Sequence, residues 1–347
     1  MVSAPRLLAL KTAVPPHVLE QNVVAEIAHT LFGEKTDIER MLPVFEHSGI
    51  ERRYSCVPPS WYLAEHGWKE RNAIYLDNAV ALLEKVARSC LAEALLAPED
   101  IDAVVAVSTT GIATPSLDAL IAEKMHLRRD IARLPIFGFG CAGGVLGLAR
   151  SAMLAKARPG TKILFLCVEL CALTFRKDDV SKSNIVATAL FGDGAAGAIV
   201  STEGDGPRLG PSGEHTWPDS LDIMGWDIEE DGFKAIFSKS IPELVEKEFE
   251  SVLHKFLAHN QMKLSDVDAF ACHPGGAKVL SALERVFELN EGGLKESRNI
   301  LREYGNMSAV TVLFVLERMR VREKRQRTLM TTLGPGFTAA FMTLEKE

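Results

Sequence analysis

The chain has 347 residues, enough to bury about three quarters of its extended-chain surface, so a large core needs no disulfide staples. Hydrophobic residues make up 47% and charged residues 24%, which excludes disorder as the main state. A net charge of -7 offers no basic footprint for a phosphate backbone, so nucleic acid is not an expected partner.

The length suggests two domains or one fold with two halves. The start, Met1-Val2-Ser3-Ala4-Pro5-Arg6, has no basic region, long apolar run and cleavage site, so no signal peptide is expected. The most apolar stretch, 163–175, is short and holds Glu169, so no integral membrane segment is expected. Six cysteines (Cys56, Cys90, Cys141, Cys167, Cys171 and Cys272) form no C-x-x-C pair and no zinc spacing. A cytoplasmic protein with reduced thiols and no metal site is the expectation.

In chain order, the pattern predicts a strand over 6–13, ended by Pro15-Pro16. A helix over 22–32 follows on Val23, Val24, Ile27 and Leu31, with Gly33 as its stop. Next come a helix over 72–96, a buried strand over 101–107, a short helix over 116–125 and a strand over 134–139. A glycine-rich turn leads to a helix over 142–157, then strands over 162–169 and 197–201. Glu203-Gly204-Asp205-Gly206-Pro207 and Gly210-Pro211-Ser212-Gly213 read as a break, dividing the chain into 1–202 and 203–347. Beyond it lie a helix over 242–259, a strand over 267–272, helices over 276–287, 294–304 and 307–319, and strands over 327–333 and 337–344.

The halves repeat. Asp102 to Cys141 spans 39 positions and Asp268 to Asn306 spans 38. Cys141 to Lys162 and Asn306 to Arg327 each span 21. The match breaks after Lys162, where the first half carries extra residues over about 172–190. Read as a duplication, this describes a repeated α/β unit, with two sheets sandwiching helices between them.

The repeat puts Cys141 and Asn306 at equivalent places, each ahead of a helix. His273 ends the strand equivalent to 103–107, and such strand ends face the reactive crevice. Singly, each has a structural reading: Cys141 as a small buried residue in a tight turn, His273 as a satisfied strand-end residue, Asn306 as a helix cap. Together they suit acyl transfer. Free N–H groups at a helix start favour a thiolate, and a nearby imidazolium would favour it further. A thiolate accepts an acyl group and releases it again. An imidazole and an amide both donate to an oxygen turning anionic, each donor being worth roughly 3–4 kcal/mol in the transition state. That fits carbon–carbon bond formation by decarboxylative condensation. The same trio occurs in papain-type proteases, but there the cysteine lies near the mature N-terminus in a C-G-S-C-W context. Here Ala142-Gly143-Gly144 follows it at position 141.

The chain resembles a type III polyketide synthase of the chalcone synthase superfamily, in its bacterial branch. The matching stretches are Gly140-Cys141-Ala142-Gly143-Gly144, Glu169 through Phe175-Arg176, Ala189 through Ala195, Cys272-His273-Pro274-Gly275-Gly276, Tyr304-Gly305-Asn306-Met307-Ser308 and Gly334-Pro335-Gly336. The resemblance implies a thiolase fold, a five-layer αβαβα sandwich, in a homodimer. It implies that Cys141 takes the starter, while His273 and Asn306 hold the malonyl thioester during decarboxylation. CoA thioesters are the implied substrates, with no metal or redox cofactor.

Other positions carry over one by one. Phe191 matches one gate phenylalanine between the coenzyme A tunnel and the cavity. The second gate position falls on Ala235, with Phe233 or Phe237 as substitutes if the register slips. Thr174 and Thr109 match cavity-lining positions. Thr109, Glu169 and Ser308 match a hydrogen-bond network linked to cyclisation. The methionine that enters the partner's cavity in plant enzymes is Thr114 here. Where the plant family has three basic coenzyme A anchors, this chain has Arg40, Pro43 and His47. Arg52 or Arg53 would then anchor the phosphates, or an acyl carrier protein would deliver the starter. The basic run 318–327 would dock such an acidic partner or form a solvated helix end.

Small residues at Ala235 and Thr114 are expected to open space beside the cavity. Met224-Gly225-Trp226-Asp227 resembles synthases of alkylpyrones and alkylresorcinols. The expected starter is therefore a medium- to long-chain fatty acyl group, extended two or three times. The alternatives are a single condensation like that of β-ketoacyl carrier-protein synthase III, and an aromatic starter as in chalcone or stilbene synthases.

Overall fold

The computed structural model describes residues 4–33, 36, 38–238, 240–320 and 326–346. The first half runs β1 (Arg6–Ala13), β2 (His17–Glu20), α1 (Gln21–Phe32), α2 (Pro43–Glu46), β3 (Arg52–Ser55), α3 (Trp68–Ala94), β4 (Ala103–Val107), α4 (Leu117–Lys124), β5 (Ala132–Ile136), α5 (Gly143–Ala157), β6 (Ile163–Leu170), α6 (Lys182–Leu190) and β7 (Asp193–Ser201). The second runs β8 (Arg208–Thr216), β9 (Met224–Glu229), β10 (Gly232–Phe237), α7 (Ile241–Leu244), α8 (Glu250–His259), β11 (Ala269–Cys272), α9 (Ala277–Val286), α10 (Lys295–Tyr304), α11 (Thr311–Met319), β12 (Gln326–Gly334) and β13 (Thr338–Lys346).

Strand periodicity builds the layers. Along β6, Ile163, Phe165 and Cys167 enter one core, while Leu164, Leu166 and Val168 enter another. Along β13, Ala339 and Phe341 face a third core, while Ala340 and Met342 face the one that Phe165 enters. A period of two with both faces apolar requires cover on both sides. Helix α3 covers the outer face of the first half. Helices α5 and α11 fill the middle. Helices α8, α9 and α10 cover the outer face of the second half. The result is the expected αβαβα layering.

Nine strands lie in the order β11-β12-β13-β8-β1-β7-β6-β4-β5. In the first half β4 and β6 are parallel, and β6–β7 and β7–β1 are antiparallel. In the second, β11 and β12 are parallel, and β12–β13 and β13–β8 are antiparallel. The duplication is thus present strand for strand, with β5 as an extra edge. The halves are not separate sheets, however. They join through Arg6 paired with Arg208, flanked by backbone bonds from Leu7 N to Pro207 O (2.9 Å) and Leu209 N to Pro5 O (2.8 Å).

Some expectations need correction. Gly210-Pro211-Ser212-Gly213 is not a break but part of β8, the counterpart of β1. Proline has no N–H for the ladder, and the register with β13 shifts between Met342 and Leu344 beside it. The extra residues of the first half form a short turn (Cys171–Thr174) and α6. The helix expected over 242–259 is interrupted by a π-helical turn, Val245–Phe249. The β9–β10 hairpin was not anticipated; Gly232, at φ +126, opens its return strand.

Candidate active site

Cys141 sits in a 3₁₀ turn, Gly140–Ala142, that leads directly into α5. Gly140 has φ +47, and a Cβ there would lie 2.5 Å from Pro335 Cδ. Only glycine fits such a position. A Cβ on Gly144 would lie 2.2 Å from Ala309 O, so its absence lets α5 rest on the turn Ser308–Val310. The Thr332 hydroxyl donates to Cys141 O (2.7 Å), and Gly140 N donates to Thr109 Oγ1 (3.1 Å). The Gly334-Pro335-Gly336 loop packs against this turn: a Cβ on Gly334 would meet Ala142 N at 2.7 Å.

His273 follows β11, tied by its N–H to Thr331 O (2.9 Å). Both ring nitrogens are buried, with no hydrogen-bond partner among the described residues. Asn306 is held at both levels. Its N–H donates to Leu190 O (2.8 Å), and its carbonyl accepts from Gly192 N (3.0 Å), bracketing Phe191. Its side-chain Oδ1 accepts from Ser308 N (2.8 Å), and Nδ2 donates to Gly275 O (3.2 Å). One amide N–H is left to donate elsewhere.

Cys141, His273 and Asn306 line one cavity of 800 Å³. Burial pushes the Cys141 thiol up to about 12, with the bond to Ser308 a partial offset. Burial holds the His273 imidazole down to about 3. Burial thus opposes the charged form of both groups, against the helix start that favours a thiolate.

Behind Cys141 lies a buried carboxyl. Glu169 Oε2 accepts from Thr109 N (3.0 Å) and from the Thr110 hydroxyl (2.8 Å). Burial pushes it up to about 8 against these bonds. Thr109 bonds both Glu169 and Gly140 N, and Ser308 adjoins Cys141, so the expected trio meets around the nucleophile's turn.

The remaining predicted residues divide. Arg40 lines the main cavity with Pro43 and His47. Arg53 does not: it is 1% exposed, its Nη1 donates to Ala189 O, and it cannot anchor a phosphate from solvent. Arg52 is exposed on β3, paired through its backbone with Glu20, and is not among the residues lining that cavity. The alternation of a strand explains the split between these neighbours. Phe191 and Thr174 line a second, smaller cavity of 40 Å³ with Cys171, Ala187 and Arg53. Thr114 is exposed on the loop after β4 and opens no space in its own chain's cavity.

Ala235 is buried against Phe191, Cys171 and Ala187. It does not leave the expected gap. Trp226, its partner across the hairpin, meets Phe191 edge-on with ring centroids 5.8 Å apart, and the Phe237 ring meets Phe191 in the same way at 5.6 Å. Phe237 also lines the main cavity. Sequence reading missed Lys182 and Lys278 at the cavity wall. The signal for Lys278 was its place five residues after His273, in the first turn of α9. In the basic run 318–327, residues 321–325 lie outside the described residues. Arg318, Arg320 and Arg327 pair with Glu303, Glu93 and Glu345.

Among the described residues no group of three or more His, Cys, Asp or Glu side chains is placed to hold a metal ion. None of the helices there is long and apolar enough to cross a membrane.

Comparison with known proteins places this geometry. The profile of the N-terminal domain of chalcone and stilbene synthases matches residues 3–204, and that of their C-terminal domain matches 211–345. A putative chalcone synthase of Bacillus subtilis (strain 168) is 34% identical, covering 98% of both chains. A 1,3,6,8-tetrahydroxynaphthalene synthase of Streptomyces peucetius subsp. caesius is 36% identical over 97% of this chain and 92% of its own. The crystal structure of the 1,3,6,8-tetrahydroxynaphthalene synthase from Streptomyces coelicolor A3(2), a bacterial type III polyketide synthase, superposes with a TM-score of 0.93 at 29% identity, covering 98% of this chain and 99% of that one. The two domains matched in order, over nearly the whole length and on a shared thiolase fold, make this chain a member of the chalcone and stilbene synthase family, a type III polyketide synthase and an acyltransferase.

Proposed function

We propose that the chain condenses malonyl-CoA iteratively onto a medium- to long-chain fatty acyl starter carried by Cys141, and closes the product to an alkylpyrone or alkylresorcinol. One observation carries the chemistry: the unpartnered His273 nitrogens line the same cavity as Cys141 and a pre-oriented Asn306 amide. As the sulfur attacks the starter thioester, its proton passes to His273, which returns it to the departing coenzyme A thiolate. Malonyl-CoA then sits with its thioester oxygen between an imidazole N–H and the Asn306 amide. Loss of CO₂ leaves an enolate held by both donors. Its carbon attacks the Cys141 thioester, the C–S bond breaks, and the lengthened chain rests on coenzyme A. The chemistry balances with thioesters alone, and the proposal includes no metal or redox group.

Arg40, His47, Lys182 and Lys278 at the cavity wall take over the phosphate-anchoring role expected of Arg52 and Arg53. Coenzyme A is the proposed carrier, with an acyl carrier protein as the alternative donor of the starter. Met41, Val44, Val186, Leu190, Met224 and Ile241 give the wall its apolar character, which supports an alkyl starter. Each CH₂ buried there contributes about 0.8 kcal/mol. We also propose a homodimer. Leu134 and Phe137, on and just after the edge strand β5, and Ile112 nearby in sequence to Thr114, are exposed, and a second copy would cover them.

A second reading, a short starter folded to a polycyclic aromatic product, is favoured by Trp226 and Phe237 filling the space beside Ala235. Mass spectrometry of products from malonyl-CoA alone, and with a series of C2–C16 and aromatic acyl-CoAs, tests these readings. Ring products incorporating C8–C16 starters with the highest kcat/KM support the first. Turnover of malonyl-CoA alone to an aromatic product replaces it with the second. A single linear condensation product sinks both.

A further inference from the structure

We propose that Gln21 is a positioning residue for coenzyme A thioesters: its side-chain amide ties the segment carrying Arg40 and His47 to α6, and so fixes two walls of the main cavity relative to each other. The proposal rests on the phosphate-anchoring reading above and adds what holds those anchors in register.

Gln21 opens α1 and is buried. Its Nε2 donates toward three oxygens: Phe45 O (3.1 Å), Ser48 Oγ (3.0 Å) and Ala189 O (3.1 Å). An amide has two N–H bonds, so the three acceptors share them. Phe45 belongs to α2 and Ser48 to the turn after it, whereas Ala189 lies at the end of α6. Oε1 has no partner among the described residues. That fixes the orientation, because a reversed amide would set an acceptor against three acceptors. The backbone of Gln21 is held separately, its N–H donating to Glu51 O (2.9 Å). Both tied segments bound the main cavity. Arg40, His47 and Ser48 line it from around α2, and Lys182, Val186 and Leu190, four residues apart along one face, line it from α6.

A one-turn helix such as Pro43–Glu46 has almost no internal hydrogen bonding, so its place comes from tertiary contacts. The Phe45 ring, buried in the same core as Ala28 and Phe32 of α1, supplies one, and the Gln21 amide supplies another. The bonding pattern marks that amide as a tie between elements. Each of its acceptors has a second donor: Phe45 O accepts from the Ser48 hydroxyl (2.8 Å), Ser48 Oγ accepts from Ile50 N (3.1 Å), and Ala189 O accepts from Arg53 Nη1. Loss of the amide therefore leaves no buried oxygen unpaired, which is the costly outcome for a fold. What goes is the link from α2 to α6, and with it the spacing of Arg40 and His47 against Lys182. A ligand with several phosphates gains from anchors already set at the right spacing and loses affinity when they must be ordered on binding. The condensing groups are touched less, because Leu190 O keeps its bond from Asn306 N (2.8 Å).

The test compares the wild-type enzyme with Gln21→Met, which keeps the length and removes the amide, and with Gln21→Asn, which keeps the amide on a shorter stem. Calorimetry gives Kd for coenzyme A itself. Kinetics give KM and kcat for malonyl-CoA and for the malonyl thioester of N-acetylcysteamine, which has the same reacting group and no phosphates. Each variant should weaken coenzyme A and raise KM for malonyl-CoA by roughly 5- to 30-fold, the worth of one or two net hydrogen bonds, with kcat within about threefold. KM for the truncated thioester should stay within about twofold, a split that general loosening of the fold does not produce. An unchanged Kd and KM for the coenzyme A ligands in whichever variant folds, or an equal rise for both thioesters, overturns the proposal. Arg40→Ala and His47→Ala separate it from the reading beneath it. Coenzyme A affinity that falls in these two but not in the Gln21 variants overturns the role of Gln21 alone. Affinity unmoved by both overturns the anchoring reading, and the proposal with it.

Discussion

Replacing Gly140 with alanine tests whether the turn that holds Cys141 is as tightly determined as its geometry implies. The residue sits at φ +47, where an L side chain costs about 1–2 kcal/mol. The new Cβ would lie 2.5 Å from Pro335 Cδ and 2.6 Å from its Cγ, so turn and loop must part by about 1 Å, an overpacking that costs roughly 1–3 kcal/mol. Together these destabilise the fold by about 2–5 kcal/mol, which lowers Tm by roughly 3–7 °C in a chain of this size. The bond from Gly140 N to Thr109 Oγ1 would be disturbed as well. A shift of about 1 Å at a nucleophile lowers turnover by on the order of 100-fold. Gly138→Ala is the control, because Gly138 has φ +95 but a Cβ there meets nothing within 4 Å. Differential scanning fluorimetry and malonyl-CoA-dependent product formation read the two effects. Gly138→Ala should show the smaller Tm loss and near wild-type turnover. A Gly140→Ala enzyme matching Gly138→Ala in Tm, with turnover within twofold, would refute the reasoning.

Two further outcomes are expected. Asn306→Ala removes an enolate donor and should lower malonyl-CoA decarboxylation by about 10²–10³-fold, with iodoacetamide labelling of Cys141 unchanged; labelled CO₂ release measures it. Glu169→Gln should grow more stable relative to wild type as pH rises. The carboxyl's midpoint is raised from 4.5 to about 8 in the fold, so the protonated native state contributes stability fully below about 4.5, and that contribution is lost as pH rises through 8. The Tm difference between Glu169→Gln and wild type should widen from pH 5 to pH 9, and a flat difference would contradict the burial-driven shift.

Much of the framework was readable from local pattern. The strand over Ile163–Leu170 and the helix Gly143–Ala157 announce themselves by period and by an apolar face. Strand β8 did not, because Gly210, Pro211 and Gly213 carry turn chemistry, and only pairing with β13 on one side and β1 at its start makes that segment a strand. Arg52 and Arg53 look alike in sequence, yet alternation sends one outward and buries the other. The gap expected at Ala235 is closed by Trp226, whose position follows from the register of a hairpin that no local signal specified.

What the linear order determined by itself was the duplicated α/β plan and the identity of Cys141, His273 and Asn306, because repeat spacing and turn glycines are local properties. Only the folded chain decided that these three share one cavity, that burial opposes charge on thiol and imidazole alike, and that a carboxyl lies buried behind them. Convergence and desolvation depend on which surfaces meet, and residues 132 positions apart meet only when the layers close.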